Sequence, residues 1–143
     1  MLVRVTWRFV ENIYNLKLMK IVVRKSPKSN KKFRVFFEDG DFVDFGAKGY
    51  SDFTIHKDPL RMRRYVDRHG GIISQRILNE KNPEKVLKLM RKVRRSHKEN
   101  WGLSGIKSAG FWSRWLLWSE KTPQKAGKLI EELFGVRTTL KGF

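Results

Sequence analysis

A chain of 143 residues, 40% of them hydrophobic and 13% aromatic, is long enough to bury one core, roughly two thirds of the surface it exposes unfolded. That composition excludes disorder as the default, and the absence of cysteine excludes disulfides, thiolate zinc sites and cysteine nucleophiles. Its 32 Lys and Arg against 14 Asp and Glu, a net charge of +18, call for an anionic partner: nucleic acid, an acidic protein surface or an anionic membrane face.

The opening residues alternate. Val3, Val5, Trp7 and Phe9 share one side and Leu2, Arg4, Thr6 and Arg8 the other, which predicts a half-buried strand serving as an N-terminal arm. The stretch has no continuous apolar centre and no small-residue cleavage site, and nothing in the chain reaches the roughly 20 apolar residues of a bilayer span. Neither secretion nor transmembrane anchoring is expected. A β-rich run at 18–24 contains Ile21, Val22 and Val23 and leads into the basic, turn-rich KSPKSNKK. Residues 33–37 and 42–45 predict two further strands around Asp39-Gly40, the strongest hairpin signal in the chain. Gly46 and Gly49 then frame a tight loop. Residues 1–50 therefore read as a small antiparallel sheet.

The period then changes. Asp58-Pro59 and Asn82-Pro83 are acceptor caps followed by proline, opening helices expected over 59–69 and 83–98, with a shorter one at 72–78 between them. In the 83–98 helix, Val86, Leu89, Met90 and Val93 fall at helical spacing while lysines and arginines occupy much of the remainder. An aromatic helix is expected at 108–118, and Thr122-Pro123 caps a last one through Phe134, stopped by Gly135. Residues 136–143 read as a tail. The expected fold is α+β, one domain, with the N-terminal antiparallel sheet packed against C-terminal helices over 51–135.

Catalytic chemistry finds little support. His56, His69 and His97 lie in no metal-ligand or nucleophile-elbow spacing. Asp52, His56 and Asp58 are the nearest thing to a metal set, but cap and turn chemistry explains them better. Glu38, Asp39, Asp41 and Asp44 could suggest a magnesium-dependent nuclease, yet the turn accounts for DGD. FGAKG lacks the spacing of a phosphate-binding loop. No catalytic residue, metal site, cofactor or small-molecule substrate is expected.

The basic region carries more. From Lys57 to Lys98 there are fourteen Lys and Arg against four acidic residues, which is ten of the net +18. Lys57, with Arg61, Arg63, Arg64 and Arg68 on the helix that follows it and Lys88, Arg91, Lys92, Arg94 and Arg95 on the other, are the expected anion- or partner-binding residues. Bound to nucleic acid, they would give salt-sensitive, largely sequence-independent contacts. Trp112, Trp115 and Trp118 recur at spacing three, near Phe111, Arg114 and Trp101. Core is the expected role for such a stripe, with base stacking or a protein interface as the alternatives.

The segments FGAKGYSDFTIHKDPLRMRRYVDRHG and KENWGLSGIKSAGFWSRWLLWSEKTPQKAGKLIEELF resemble a family of small, basic, uncharacterised proteins of large nucleocytoplasmic DNA viruses. The likeness covers roughly residues 30–134. Residues 71–95 read as an insertion relative to that pattern, and the N-terminal strand as an addition. The resemblance brings no catalytic residues. It implies a viral protein made in host cytoplasm, located in the virion, with viral capsid proteins or nucleic acid as partner. The expected function is a minor capsid protein making lattice contacts through a basic surface; non-sequence-specific nucleic-acid binding is the alternative.

Overall fold

Turn chemistry sets the centre of the sheet. Phe37 N donates to Asp41 O at 2.9 Å, Asp41 N donates to the Asp39 carboxylate at 2.9 Å, and Gly40 sits at φ 91°, a conformation that favours glycine. In the computed structural model, which describes residues 19–143, that turn joins β2 (Lys31–Phe36) to β3 (Phe42–Ala47). The strand predicted at 2–9 lies outside the described residues. β1 (Met19–Lys25) pairs antiparallel with β2, placing Val23 opposite Val35, and β2 pairs antiparallel with β3, placing Phe33 opposite Phe45.

The sheet has a fourth member that the sequence reading left as tail. β4 (Val136–Leu140) runs parallel to β1, with Ile21 opposite Thr138, so the order is β3-β2-β1-β4 and the sheet is mixed, not antiparallel. The cause is a crossover: the chain leaves β1, forms every other element and returns to its free edge. The fold class is α+β. Ile21, Val23, Val35, Phe45 and Val136 are fully or almost fully buried on the helix side.

Helical elements occupy the chain between β3 and β4. α1 (Phe53–His56) is a single turn not anticipated, capped by Asp52; α2 (Pro59–Arg68) starts where Asp58 accepts from Leu60 N at 3.0 Å. Next come α3 (Gln75–Asn79) and α4 (Pro83–Met90), the latter capped by Asn82 at 3.0 Å from Glu84 N. α5 (Ala109–Trp112) passes into a π-turn (Ser113–Leu117), and α6 (Pro123–Phe134) is capped by Thr122 and ended by Gly135 at φ 67°. α6 covers β4, α5 lies on β3, and α2 packs on α4. Among the described residues no helix is long and apolar enough to cross a membrane.

Two helices differ from expectation for tertiary reasons. α4 stops at Met90 instead of continuing to 98, because the chain beyond it is claimed by other partners. Ile72 N donates to Arg95 O at 2.9 Å, His97 N to Gly70 O at 2.8 Å, and Val93 turns into the core. Residues 71–95 supply Ile77, Val86, Leu87, Met90 and Val93 to that core.

The aromatic segment is not one α-helix either. Its π-turn widens the coil by a residue, and four consecutive side chains, Arg114, Trp115, Leu116 and Leu117, are all buried. Trp101, Trp112 and Trp115 are core, as expected, and each indole N–H has an acceptor: Glu99 at 2.7 Å, Ile106 O at 2.6 Å and Trp101 O at 2.8 Å. Burial of a ring on the order of 200 Å² is a gross gain of about 5 kcal/mol before entropy is counted. Three such rings dominate this core.

Candidate anion-binding surface and cleft

The ten expected cations separate into groups with different work to do. Lys57 is exposed, but its ammonium is engaged, donating to Thr54 O at 2.8 Å and Lys121 O at 2.7 Å. Arg63 turns away from solvent and caps α3, donating to Ile77 O at 2.6 Å and Glu80 O at 2.7 Å. Arg91 forms a bidentate pair with the buried Glu120 at 2.6 and 3.1 Å. Arg94 reaches Leu133 O at 3.4 Å and lies 5.2 Å over the Phe134 ring. These four help hold the fold. Arg61, Arg64, Arg68, Lys88, Lys92 and Arg95 remain exposed.

Of those six, the structure brings Arg61 and Arg68 together. Seven residues apart, they share a line along α2, with Tyr65 between them, because helical geometry returns to nearly the same direction after seven residues. Arg64 lies off that line. Arg95 lines a separate shallow depression with Arg94, Trp101 and Ile72, while Lys88 and Lys92 line neither. The stripe therefore divides, and no single groove gathers it.

Arg61 and Arg68 form one wall of a cleft of about 480 Å³. Lys31 and Lys32, at the start of β2, form the facing wall, and the loop residue Tyr50 stands at the lip with 74% of its surface exposed. The floor is aromatic. Tyr65 stacks on Trp118 at 4.1 Å and on His69 at 4.0 Å. Burial, aided by the Glu99 carboxylate, raises the Tyr65 phenol well above its usual range, so it stays neutral.

Two carboxylates border the cleft, and both are engaged. Asp52 is 2% exposed; it caps α1 through Thr54 N at 2.9 Å and pairs with Lys32 at 2.7 Å. Glu99 accepts from Trp101 at 2.7 Å and lies 3.2 Å from His69 Nδ1. Gly110 makes room for it, since a Cβ there would stand 3.0 Å from the Glu99 carboxyl carbon. Among the described residues, Lys31, Arg61 and Arg68 have no carboxylate within ion-pair distance.

The other candidate clusters resolve into structural bonds. Asp39 and Asp41 both hold Lys107, Asp44 holds Arg34 at 2.8 Å, and Glu38 accepts from Lys20 N at 2.7 Å, so the four acids are divided among three partners. His56 accepts from Asp58 N at 3.0 Å through Nδ1, and burial, aided by Arg61, lowers its pKa. Among the described residues no three His, Asp or Glu side chains are placed to hold a metal ion.

Sequence reasoning missed Lys31, Lys32 and Tyr50. The lysines sit in a run read as a basic connection between strands, and nothing local signals that β2 would carry them to α2. Tyr50 was detectable as a large aromatic in a glycine-framed loop, where no core position was expected.

Residues 21–69 match the model of a family of unknown function, DUF5754. That match takes in the first three strands, α1 and α2, and with them Lys31, Lys32, Tyr50, Arg61 and Arg68. No match was found among curated proteins or among solved structures.

Proposed function

We propose that this chain is a non-catalytic structural component of a large DNA virus particle, a minor capsid protein held by its neighbours through a basic surface. The observation that carries the reading is the spread of exposed cations over every layer of the fold. Lys20 and Arg24 lie on β1, Arg64 on α2, Lys88 on α4, Lys125 and Lys128 on α6, and Arg137 on β4. A strand of nucleic acid needs a continuous track of charge, whereas a lattice element is approached from several sides. The resemblance of the HKD and SRWLLW segments to proteins of such viruses gives the context. Among the described residues the outer edges of β3 and β4 are unpaired, which adds surfaces that a neighbouring chain could extend.

The experiment is cryo-electron microscopy of purified virions, with cross-linking of lysines such as Lys88 and Lys125. Ordered copies in the shell, cross-linked to capsid proteins, are the expected result. A shell lacking the chain would overturn the reading.

A second reading, non-sequence-specific nucleic-acid binding, is favoured by Arg61, Arg64 and Arg68, all exposed on α2. It requires affinity that falls steeply between about 50 and 200 mM salt, as counterion release demands.

A further inference from the structure

The cleft has a chemistry that the spread of surface charge does not explain. Lys31 and Lys32 come from β2, Arg61 and Arg68 from α2, and Tyr50 from the loop between β3 and α1, so three segments converge on one concavity. Its volume of about 480 Å³ lies inside the range of roughly 300–1,000 Å³ typical of ligand sites. Both bordering carboxylates are already held by donors, Asp52 by Lys32 and Thr54, Glu99 by Trp101, so they compete weakly for the facing arginines.

Arginine forks and lysine ammoniums placed across a gap are the donors that phosphate oxygens take. A bare phosphate would need nothing else. Here the floor is the Trp118–Tyr65–His69 stack, and the lip is the exposed Tyr50 ring. An exposed aromatic beside arginines is suited to a base, since every base has a face that stacks.

We propose that this cleft is a nucleotide site: Arg61, Arg68 and Lys31 hold a phosphate, and Tyr50 stacks on the attached base. The phosphate and base can come from a free nucleotide or from one unit of a single strand. The site does not depend on the virion reading. It does sharpen the nucleic-acid reading, because it assigns binding to a place and not to net charge.

The test uses the full chain and a fluorescent ten-residue oligothymidylate, titrated by anisotropy at 0.1 M salt. R61Q/R68Q removes two cleft cations; K88Q/K92Q removes two exposed cations outside it and equalises the charge loss. We expect the first pair to weaken binding about tenfold or more and the second less than about threefold. Tyr50→Ala is expected to weaken it several-fold and Tyr50→Phe to restore it. Because Tyr50 is exposed, that pair keeps the proposal testable should the double arginine variant misfold.

Competition by thymidine monophosphate would assign the site to free nucleotides, and its failure to compete would assign it to strands. Equal losses in the two double variants, or heparin binding as tightly with Tyr50→Ala without effect, would leave general charge attraction standing and overturn the cleft. Absence of binding to oligothymidylate and to thymidine monophosphate alike would overturn the cleft and the nucleic-acid reading together.

Discussion

Tyr65 of α2 and Trp118, just past the π-turn, lie ring on ring, 4.1 Å apart and 1° from parallel. This pair ties the basic helix to the tryptophan segment, and the cleft floor rests on it. Tyr65 is 8% exposed. Truncating a buried ring removes its transfer free energy and leaves a cavity, so Tyr65→Ala is expected to cost about 3–5 kcal/mol. Tyr65→Phe keeps the stack and removes only the hydroxyl, and a change of no more than about 1 kcal/mol is expected. Urea unfolding of the three proteins checks both figures. Equal midpoints for wild type and Tyr65→Ala would mean that the stack does not stabilise the fold.

Arg114 is the other unusual group. Its guanidinium is fully buried against the Trp101 and Trp115 rings and donates to Trp118 O at 2.7 Å, Met90 O at 2.8 Å and Val93 O at 3.0 Å. Burial lowers its pKa to about 9, which still leaves a cation at neutral pH. Met90 and Val93 lie at and just after the end of α4, so Arg114 satisfies Val93 O and adds a second donor to Met90 O, which already accepts from Val93 N at 3.0 Å. Arg114→Met fills similar space but leaves Trp118 O and Val93 O without this donor, while Met90 O keeps its bond from Val93 N, and a loss of about 3 kcal/mol or more is expected. Arg114→Lys keeps the charge without the fork and should recover only part of that loss. Chemical denaturation of both variants ranks them; a fully stable Arg114→Met would remove the cap role.

These two residues show where the sequence was readable and where it was not. Starts of helices were legible because a cap is local: Asp58, Asn82 and Thr122 each bond the next turn and each precedes proline. The hairpin at Asp39-Gly40 was legible for the same reason. The end of α4 was not, because the carbonyls and amides that stop it belong to Ile72, Gly70 and Arg114, far along the chain. β4 was missed because its partner, β1, is more than a hundred residues earlier. The cleft falls between. Arg61 and Arg68 were named from charge density alone, but their selection over Arg63 and Arg91 depends on facing, and Lys31 and Tyr50 reach them only through the fold.

Acid should act on the sheet through Asp44. Its hydrogen-bonded pair with Arg34, followed by a bond from Ser26, lowers its pKa from 3.8 to about 2. A depressed carboxylate binds fewer protons folded than unfolded, so its stabilisation is full above pH 4 and lost as pH falls through 2. Thermal midpoints of wild type and Asp44→Asn between pH 2 and 6 test this. The gap between them is expected to narrow toward pH 2; a constant gap would contradict the shift.

His56 should act in a milder range. Its Nδ1 accepts from Asp58 N, its Nε2 is buried without a partner among the described residues, and burial lowers its pKa below 6.5. The unfolded chain then takes up the proton first, so stability is full above about pH 6.5 and declines as pH falls below it. His56→Asn can keep the acceptor that caps Asp58 N while removing the titration. Wild type should lose midpoint between pH 7 and 5 more steeply than the variant, and parallel curves would show that His56 is not the group responsible.

The returning strand decides whether the sheet is one unit. Val136 is fully buried, β1 without β4 would present an open edge, and α6 would lose the surface it covers. A chain ended at Gly135 is therefore expected to lose cooperative unfolding and to aggregate, as uncovered edges do. The same strand offers a gain. Thr138 Oγ1 is buried with no hydrogen-bond partner among the described residues. Removing an unsatisfied hydroxyl while keeping its shape should be neutral or stabilising by up to about 1 kcal/mol, so Thr138→Val is expected to raise the urea midpoint or leave it unchanged. A clear loss in Thr138→Val would mean that the hydroxyl is bonded in solution. A truncated chain that unfolds with the full-length midpoint would make β4 an appendage of the sheet and leave β1 as its true edge.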